Sequence, residues 1–241
     1  MKIIQIQETD STNNWVAQHE EELESPSLVY TLIQTSGRGQ RGNTWESEPG
    51  KNITASLLFY PENYPASSQF TILEAIALAI TDYLREEFVE AKVKWPNDIY
   101  VGDMKISGTL VEHVILGKNI TRTIAGFGIN LNQKEFYSDA PNPVSLCHIT
   151  GEEYDLHDAV GKLALHLEKY LHKLNEKEWL HKNFIELLWR SDELYHKFYD
   201  RKNQEFINAR IHSLAPDGIL TLVTDGGELR DYAFKEVEYI H

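Results

Sequence analysis

Apolar and polar positions alternate over residues 2–7, which predicts a short opening strand. Ser11-Thr12-Asn13 then offers N-cap chemistry to a helix running from about Asn14 into Glu20-Glu21-Glu22. Residues 28–34 are β-rich, whereas 35–51 are polar, Gly-rich and follow neither period. An apolar run over 52–60 predicts a buried strand, and 61–65 a turn. The strongest helical stripe lies at 70–88, where Phe70, Leu73, Ile76, Ala77, Ile80 and Leu84 share one face. Short β runs follow at 93–95 and 99–101, and Gly102-Asp103 predicts a hairpin into 105–116. Gly117-Lys118-Asn119 turns the chain again into 120–131. Pro141 and Pro143 mark a loop, and helices are predicted at 156–174 and 178–189.

Near Asp192 the pattern changes. β-like runs occur at 205–211, 219–223, 228–233 and 237–240, punctuated by Pro216-Asp217-Gly218 and Asp225-Gly226-Gly227. The chain therefore divides into an α+β unit, 1–191, and a small all-β unit, 192–241. A unit of about 50 residues has a poor ratio of core to surface and leans on its larger neighbour.

With 241 residues, 41% hydrophobic and 25% charged, the composition is that of a globular protein. The net charge of −14 argues against a general binder of nucleic acid or anionic membranes. Cys147 is the single cysteine, which excludes an internal disulfide and a multi-thiolate zinc site. No apolar leader-like run or membrane-length stretch appears, so the expectation is a soluble cytoplasmic protein.

Three segments carry candidate chemistry. In Gly37-Arg38-Gly39-Gln40-Arg41-Gly42-Asn43-Thr44-Trp45, successive backbone N–H groups and two arginines suit an anion, and Trp45 suits a flat ring. A surface loop with a few charges is the equal alternative. In Lys94-Trp95-Pro96-Asn97-Asp98, a carboxylate at a turn suits Mg²⁺ that is shared with substrate phosphates. Lys105 lies at the far end of the following hairpin, before Gly108-Thr109-Leu110-Val111-Glu112. The alternative is a hairpin with solvated lysines. In Gly126-Phe127-Gly128-Ile129-Asn130, alternating glycines in a β run imply close approach of a ligand or another backbone, or packing that admits only glycine. The ten histidines form no metal-ligand pattern.

In order and near-matching spacing, Ser11-Thr12-Asn13, Gln34 before GRGQRGNTW, KWPND, Lys105 before GTLVE, and GFGIN resemble the biotin–protein ligases. The resemblance is at motif level from Thr9 to about Asn132 and looser beyond. It implies a mixed sheet flanked by helices, like that of class II aminoacyl-tRNA synthetases, with a small C-terminal SH3-like β-barrel. It implies an ATP-dependent enzyme that converts biotin to biotinoyl-5′-AMP and passes it to a lysine of a biotin carboxyl carrier domain. By resemblance, Ser11, Thr12, Asn13, Gln34, Gly37, Arg38, Gly39, Lys105 and Gly108 bind biotin. Arg38, Gln40, Arg41, Trp45, Lys94, Asn97, Lys105 and Asn130 bind ATP, with Lys105 and Arg38 catalytic and Asp98 a Mg²⁺ contact. The Gly-rich segment 37–50 is expected to act as a lid.

Two departures stand out. Gln40 occupies a position where many members carry Arg, which implies a hold on the adenylate that is weaker or is supplied elsewhere, as by Arg41. The motifs begin near residue 11, so the expectation is a short form without the DNA-binding winged helix of some members, and without DNA as a partner. An exposed edge strand could pair with a second copy, giving a homodimer, or with the carrier. The rival readings are a lipoate–protein ligase of the same fold and a non-catalytic biotin-adenylate sensor.

Overall fold

The computed structural model describes residues 1–39, 42–138 and 142–240. The chain runs β1 (Lys2–Thr9), α1 (Thr12–His19), β2 (Ser27–Gln34), β3 (Ile53–Phe59), β4 (Tyr64–Pro65), α2 (Gln69–Glu86), β5 (Lys92–Lys94), β6 (Asp98–Val101), β7 (Met104–Leu116) and β8 (Asn119–Ile129). It continues α3 (Leu146–Thr150), α4 (Leu156–Leu171), α5 (Lys177–Glu186), β9 (His196–Asp200), β10 (Glu205–Leu214), β11 (Leu220–Thr224), β12 (Leu229–Tyr232) and β13 (Val237–Tyr239).

The first sheet is ordered β1-β2-β3-β8-β7-β6-β5, with β4 beside β8. β1 and β2 are parallel, with α1 as their crossover, and the other pairs are antiparallel. Alternation sorts the two faces. Leu28, Tyr30, Ala55, Leu57 and Ala125 face the main core, which α2, α4 and α5 complete. Val29, Leu58 and Ile124 point the other way and pack with Val16 of α1. Each such aliphatic side chain contributes roughly 1.5–3 kcal/mol when buried. α2 is buried nearly all round because it lies between the sheet, α4 and α5.

α2 ends unusually. Phe88 N–H donates to the carbonyl of Arg85 at 3.0 Å and holds the left-handed position after the helix, φ +58°, where glycine is normally found. Its side chain is 98% exposed.

The second sheet is antiparallel, ordered β12-β11-β10-β9-β13, and matches the SH3-like expectation. It is joined to the first unit by an aromatic wedge. Trp95 Nε1–H donates to the carbonyl of Gly218 at 3.0 Å, and Phe234 packs edge-on to both Trp95 and Phe70. Beside the wedge, His181 of α5 lies 2.6 Å from Glu74 of α2 and 3.0 Å from the carbonyl of Leu214. Burial pushes the Glu74 carboxyl up, and its hydrogen bond raises His181 in turn.

The predicted elements appear with modest changes of boundary. α1 stops at His19, and Glu20–Glu22 forms a separate 3₁₀ turn. α3, β4 and β9 have no counterpart in the sequence reading, and β4 lies within the segment 61–65 read there as a turn.

Candidate functional site

One face of the first sheet carries a floor of small residues. Lys94, Asp98, Gly108, Gly128 and Thr54 form one row across five strands, and Leu110, Gly126 and Ser56 form the next. The two glycines of β8 are not there for a free ligand alone. A Cβ on Gly126 would stand 2.2 Å from Asn13 Oδ1, and one on Gly128 would stand 2.2 Å from the Trp45 indole. The chain's own side chains fill the space that the alternating glycines create.

A bulge sets the central cation. Between Ile99 and Tyr100 the pairing skips Ile106, so Lys105 lies opposite Tyr100 while Gly108 lies opposite Asp98. Strict alternation would put Lys105 on the reverse face from Gly108; the extra residue returns it to the same face. Its Nζ lies 2.8 Å from Asp98 Oδ1 and 5.7 Å from the Trp45 ring centroid.

The polar end is built from the start of α1. The Ser11 hydroxyl makes no capping bond to the helix and lines the cavity instead. Gln34 Oε1 accepts from Thr12 N–H at 3.0 Å. Ser56 Oγ stands 2.7 Å from Thr12 Oγ1 and 2.6 Å from Asn13 Oδ1. Gly37 closes the loop behind them: a Cβ there would stand 2.4 Å from the Trp45 carbonyl and 2.8 Å from Gln34 Nε2. Arg38 pairs with Thr44 in an isolated antiparallel bridge, and Gly39 N–H donates to the carbonyl of Asn43 at 2.7 Å.

These residues surround one cavity of about 910 Å³. Ser11, Thr12, Asn13, Gln34, Arg38, Gly39, Trp45, Lys94, Asn97, Asp98, Lys105 and Gly108 all line it. Gly37 lines a smaller adjoining pocket of about 650 Å³. Asn130 lines neither cavity; its Nδ2 donates to the Val144 carbonyl behind the wall at 3.1 Å. Gln40 and Arg41 lie outside the described residues. Asn97 is held to β7 by a 2.6 Å bond from Nδ2 to the Thr109 carbonyl.

The second sheet supplies residues that no motif announced. Arg201, Lys235, Val237, Glu238 and Tyr239 form part of the same wall. Lys235 follows the wedge residue Phe234 and has φ +68°. The only sequence-level hint was that a small β unit must lean on its neighbour. Among the described lining residues, Arg38, Lys94, Lys105, Arg201 and Lys235 face just two carboxylates, Asp98 and Glu238. Burial draws the Lys94 ammonium down to about 8, with Asp98 opposing the shift and Lys105 adding to it. Lys94 Nζ donates to the Tyr100 hydroxyl at 3.0 Å.

The model of the biotin/lipoate A/B protein ligase family matches residues 3–130, the stretch that builds this floor and its polar end. The chain belongs to that family. The bifunctional ligase/repressor BirA of Bacillus subtilis is 30% identical over 173 residues, covering 68% of this chain and 51% of BirA. The biotin–[acetyl-CoA-carboxylase] ligase of Paracoccus denitrificans is 29% identical over 162 residues, 65% of this chain and 67% of that protein. The chain spans about half the length of the BirA relatives. The biotin protein ligase of Aquifex aeolicus, solved with biotin and ATP, superposes with a TM-score of 0.80 over 99% of both chains at 24% identity, which is a likeness of fold.

The family's chemistry raises the question of a metal. Among the described residues no three His, Cys, Asp or Glu converge. Asp98 has one oxygen committed to Lys105. A single carboxylate with one oxygen committed is fewer ligands than an ion held by protein alone requires, whereas Mg²⁺ that shares substrate phosphates needs only one or two carboxylates. No helix among the described residues is long and apolar enough to cross a membrane.

Proposed function

We propose that the protein activates biotin with ATP and transfers it to a lysine of a biotin carboxyl carrier domain. A carboxylate oxygen of biotin attacks the α-phosphorus of ATP, and pyrophosphate leaves with its bonding pair. The lysine amine then attacks the acyl carbon of biotinoyl-5′-AMP, loses a proton and expels AMP. The residues present suit both steps, because each needs bound reactants held in line and fixed positive charge near a developing anion.

One observation carries the reading: the β7 bulge sets Lys105 on the cavity face between the Thr12–Gln34 polar end and the cationic wall. Ser11, Thr12, Asn13 and Gln34 would pair the ureido ring, and a site built for that polar edge discriminates against acids that lack it. Arg38 and Lys105 would hold the carboxylate and α-phosphate. Trp45 would stack on adenine, and Lys94 would meet the outer phosphates. Asp98 would contact Mg²⁺ brought in as MgATP. The small unit from about residue 192 would act as the second wall of this site. The outer edge of β1, which has no strand partner among the described residues, would be the place for a second copy of the chain.

The test is pyrophosphate exchange with biotin and lipoate in competition, followed by label transfer to a carrier domain. Exchange that depends on biotin and is indifferent to lipoate supports the reading. Exchange that depends on lipoate replaces the acid but keeps the chemistry. Binding without exchange makes the protein a sensor.

A further inference from the structure

Glu112, the last residue of GTLVE, has no role in the reading above, yet it touches two of that reading's residues. β7 places it on the cavity face, two positions beyond Leu110 and opposite Ile124 of β8. Its Oε2 accepts from Asn13 Nδ2 at 2.7 Å. Both of its oxygens lie 3.4 Å from Arg38 Nη2. The first contact is tight and anchored, since Asn13 is buried and is also held by Ser56. The second is loose, between side chains that are each 43% exposed.

Arg38 therefore has a counter-ion of its own in the smaller pocket that adjoins the cavity. If it also serves the reacting carboxylate and phosphate, two anions compete for one guanidinium. We propose, building on the biotin-ligase reading, that Glu112 is a positioning residue. It is the resting counter-ion of Arg38 and is fixed in place through Asn13. It holds the guanidinium while the cavity lacks an anion and cedes it when a carboxylate or phosphate arrives. Displacing Glu112 then lowers the net affinity for every anionic ligand and leaves a neutral ligand unaffected. The effect is small by design: a half-exposed ion pair shifts an equilibrium by a factor of about two to five.

The experiment uses the full chain and two probes: a non-hydrolysable biotinyl-adenylate phosphodiester, which is anionic, and biotinamide, which is neutral. Glu112→Gln keeps an acceptor for Asn13 and removes the charge. It should bind the phosphodiester about two- to fivefold more tightly at low salt. Binding of biotinamide should be unchanged, and the difference should vanish near 1 M salt, where screening falls to about 3 Å. In an Arg38→Gln background the same change should have no effect on the phosphodiester. Glu112→Ala, which removes the acceptor as well, should weaken biotinamide.

Weaker binding of the phosphodiester by Glu112→Gln overturns the inference, as does an equal gain for biotinamide, which would report a change of pocket shape. A wild-type protein that binds both probes while Glu112→Gln changes neither overturns the inference alone. A wild-type protein that binds neither probe overturns the biotin reading, and the inference with it.

Discussion

Gly126→Ala tests the glycine floor directly. The added methyl would stand 2.2 Å from Asn13 Oδ1 and 2.8 Å from its Cγ. Ordinary contact requires more than a further 1 Å or so, so the carboxamide must leave its seat. It then loses its bonds to Ser56 Oγ at 2.6 Å and to Glu112 Oε2 at 2.7 Å. Each buried polar group left unpaired costs about 1–3 kcal/mol. The stiffer alanine backbone in the unfolded chain offsets about 0.4–1 kcal/mol. The net loss is about 1–4 kcal/mol, or roughly 2–16 °C in Tm at 2–4 °C per kcal/mol for a chain of this size. The comparison is Gly161→Ala in α4, where a Cβ meets nothing within 4 Å and helix propensity favours alanine by about 1 kcal/mol. Differential scanning calorimetry should show Tm falling for the first variant and rising for the second. Biotin binding, measured by titration calorimetry, should weaken only in the first. A Gly126→Ala protein with unchanged Tm and biotin affinity would show that Asn13 moves freely, and would refute the argument from close packing.

Lys105→Met keeps most of the side-chain volume and removes the charge; adenylate formation should fall about 10²–10³-fold, as for loss of one oxyanion donor, while biotin affinity falls less than about fivefold. Parallel loss of both in pyrophosphate exchange and binding assays would move Lys105 out of the chemical step. Lys94 titrates near 8, below its usual range, so the KM for ATP should rise as pH climbs above that point, with proton uptake on ATP binding visible in buffers of different ionisation enthalpy. The same depression means that the unfolded chain holds this proton more firmly, so the contribution of Lys94 to stability should increase between about pH 8 and 10.5. Phe88→Gly relieves a left-handed backbone under an exposed side chain, and thermal melts should show Tm raised by about 1–4 °C for about 0.5–1 kcal/mol.

The strands and helices that show a clean period were legible in the sequence, α2 and the β7–β8 hairpin above all. β9 was missed because His196-Lys197-Phe198-Tyr199-Asp200 buries only Phe198 and Asp200 and is polar at both ends. The motif residues were found by type and order, and the structure gathers most of them around one cavity. Three things were beyond the sequence. The bulge that returns Lys105 to the working face is set by pairing between strands. Alternating glycines signalled close approach without naming Asn13 and Trp45 as the groups that approach. Arg201, Lys235, Glu238 and Tyr239 sit in a segment whose pattern shows only a small β unit, and tertiary packing alone brings them to the cavity.

The net charge of −14 belongs to the chain as a whole, whereas the described lining of the cavity carries more cations than carboxylates. Inside, the cavity gathers its walls from Ser11 at one end of the sequence to Tyr239 at the other. A growing chain thus has no finished pocket until the last strand, Val237–Tyr239, has docked beside β9. Ligand contact with that wall is therefore a reporter of completed folding. A fusion that keeps β13 from docking would strip the cavity of that wall without touching a single motif residue.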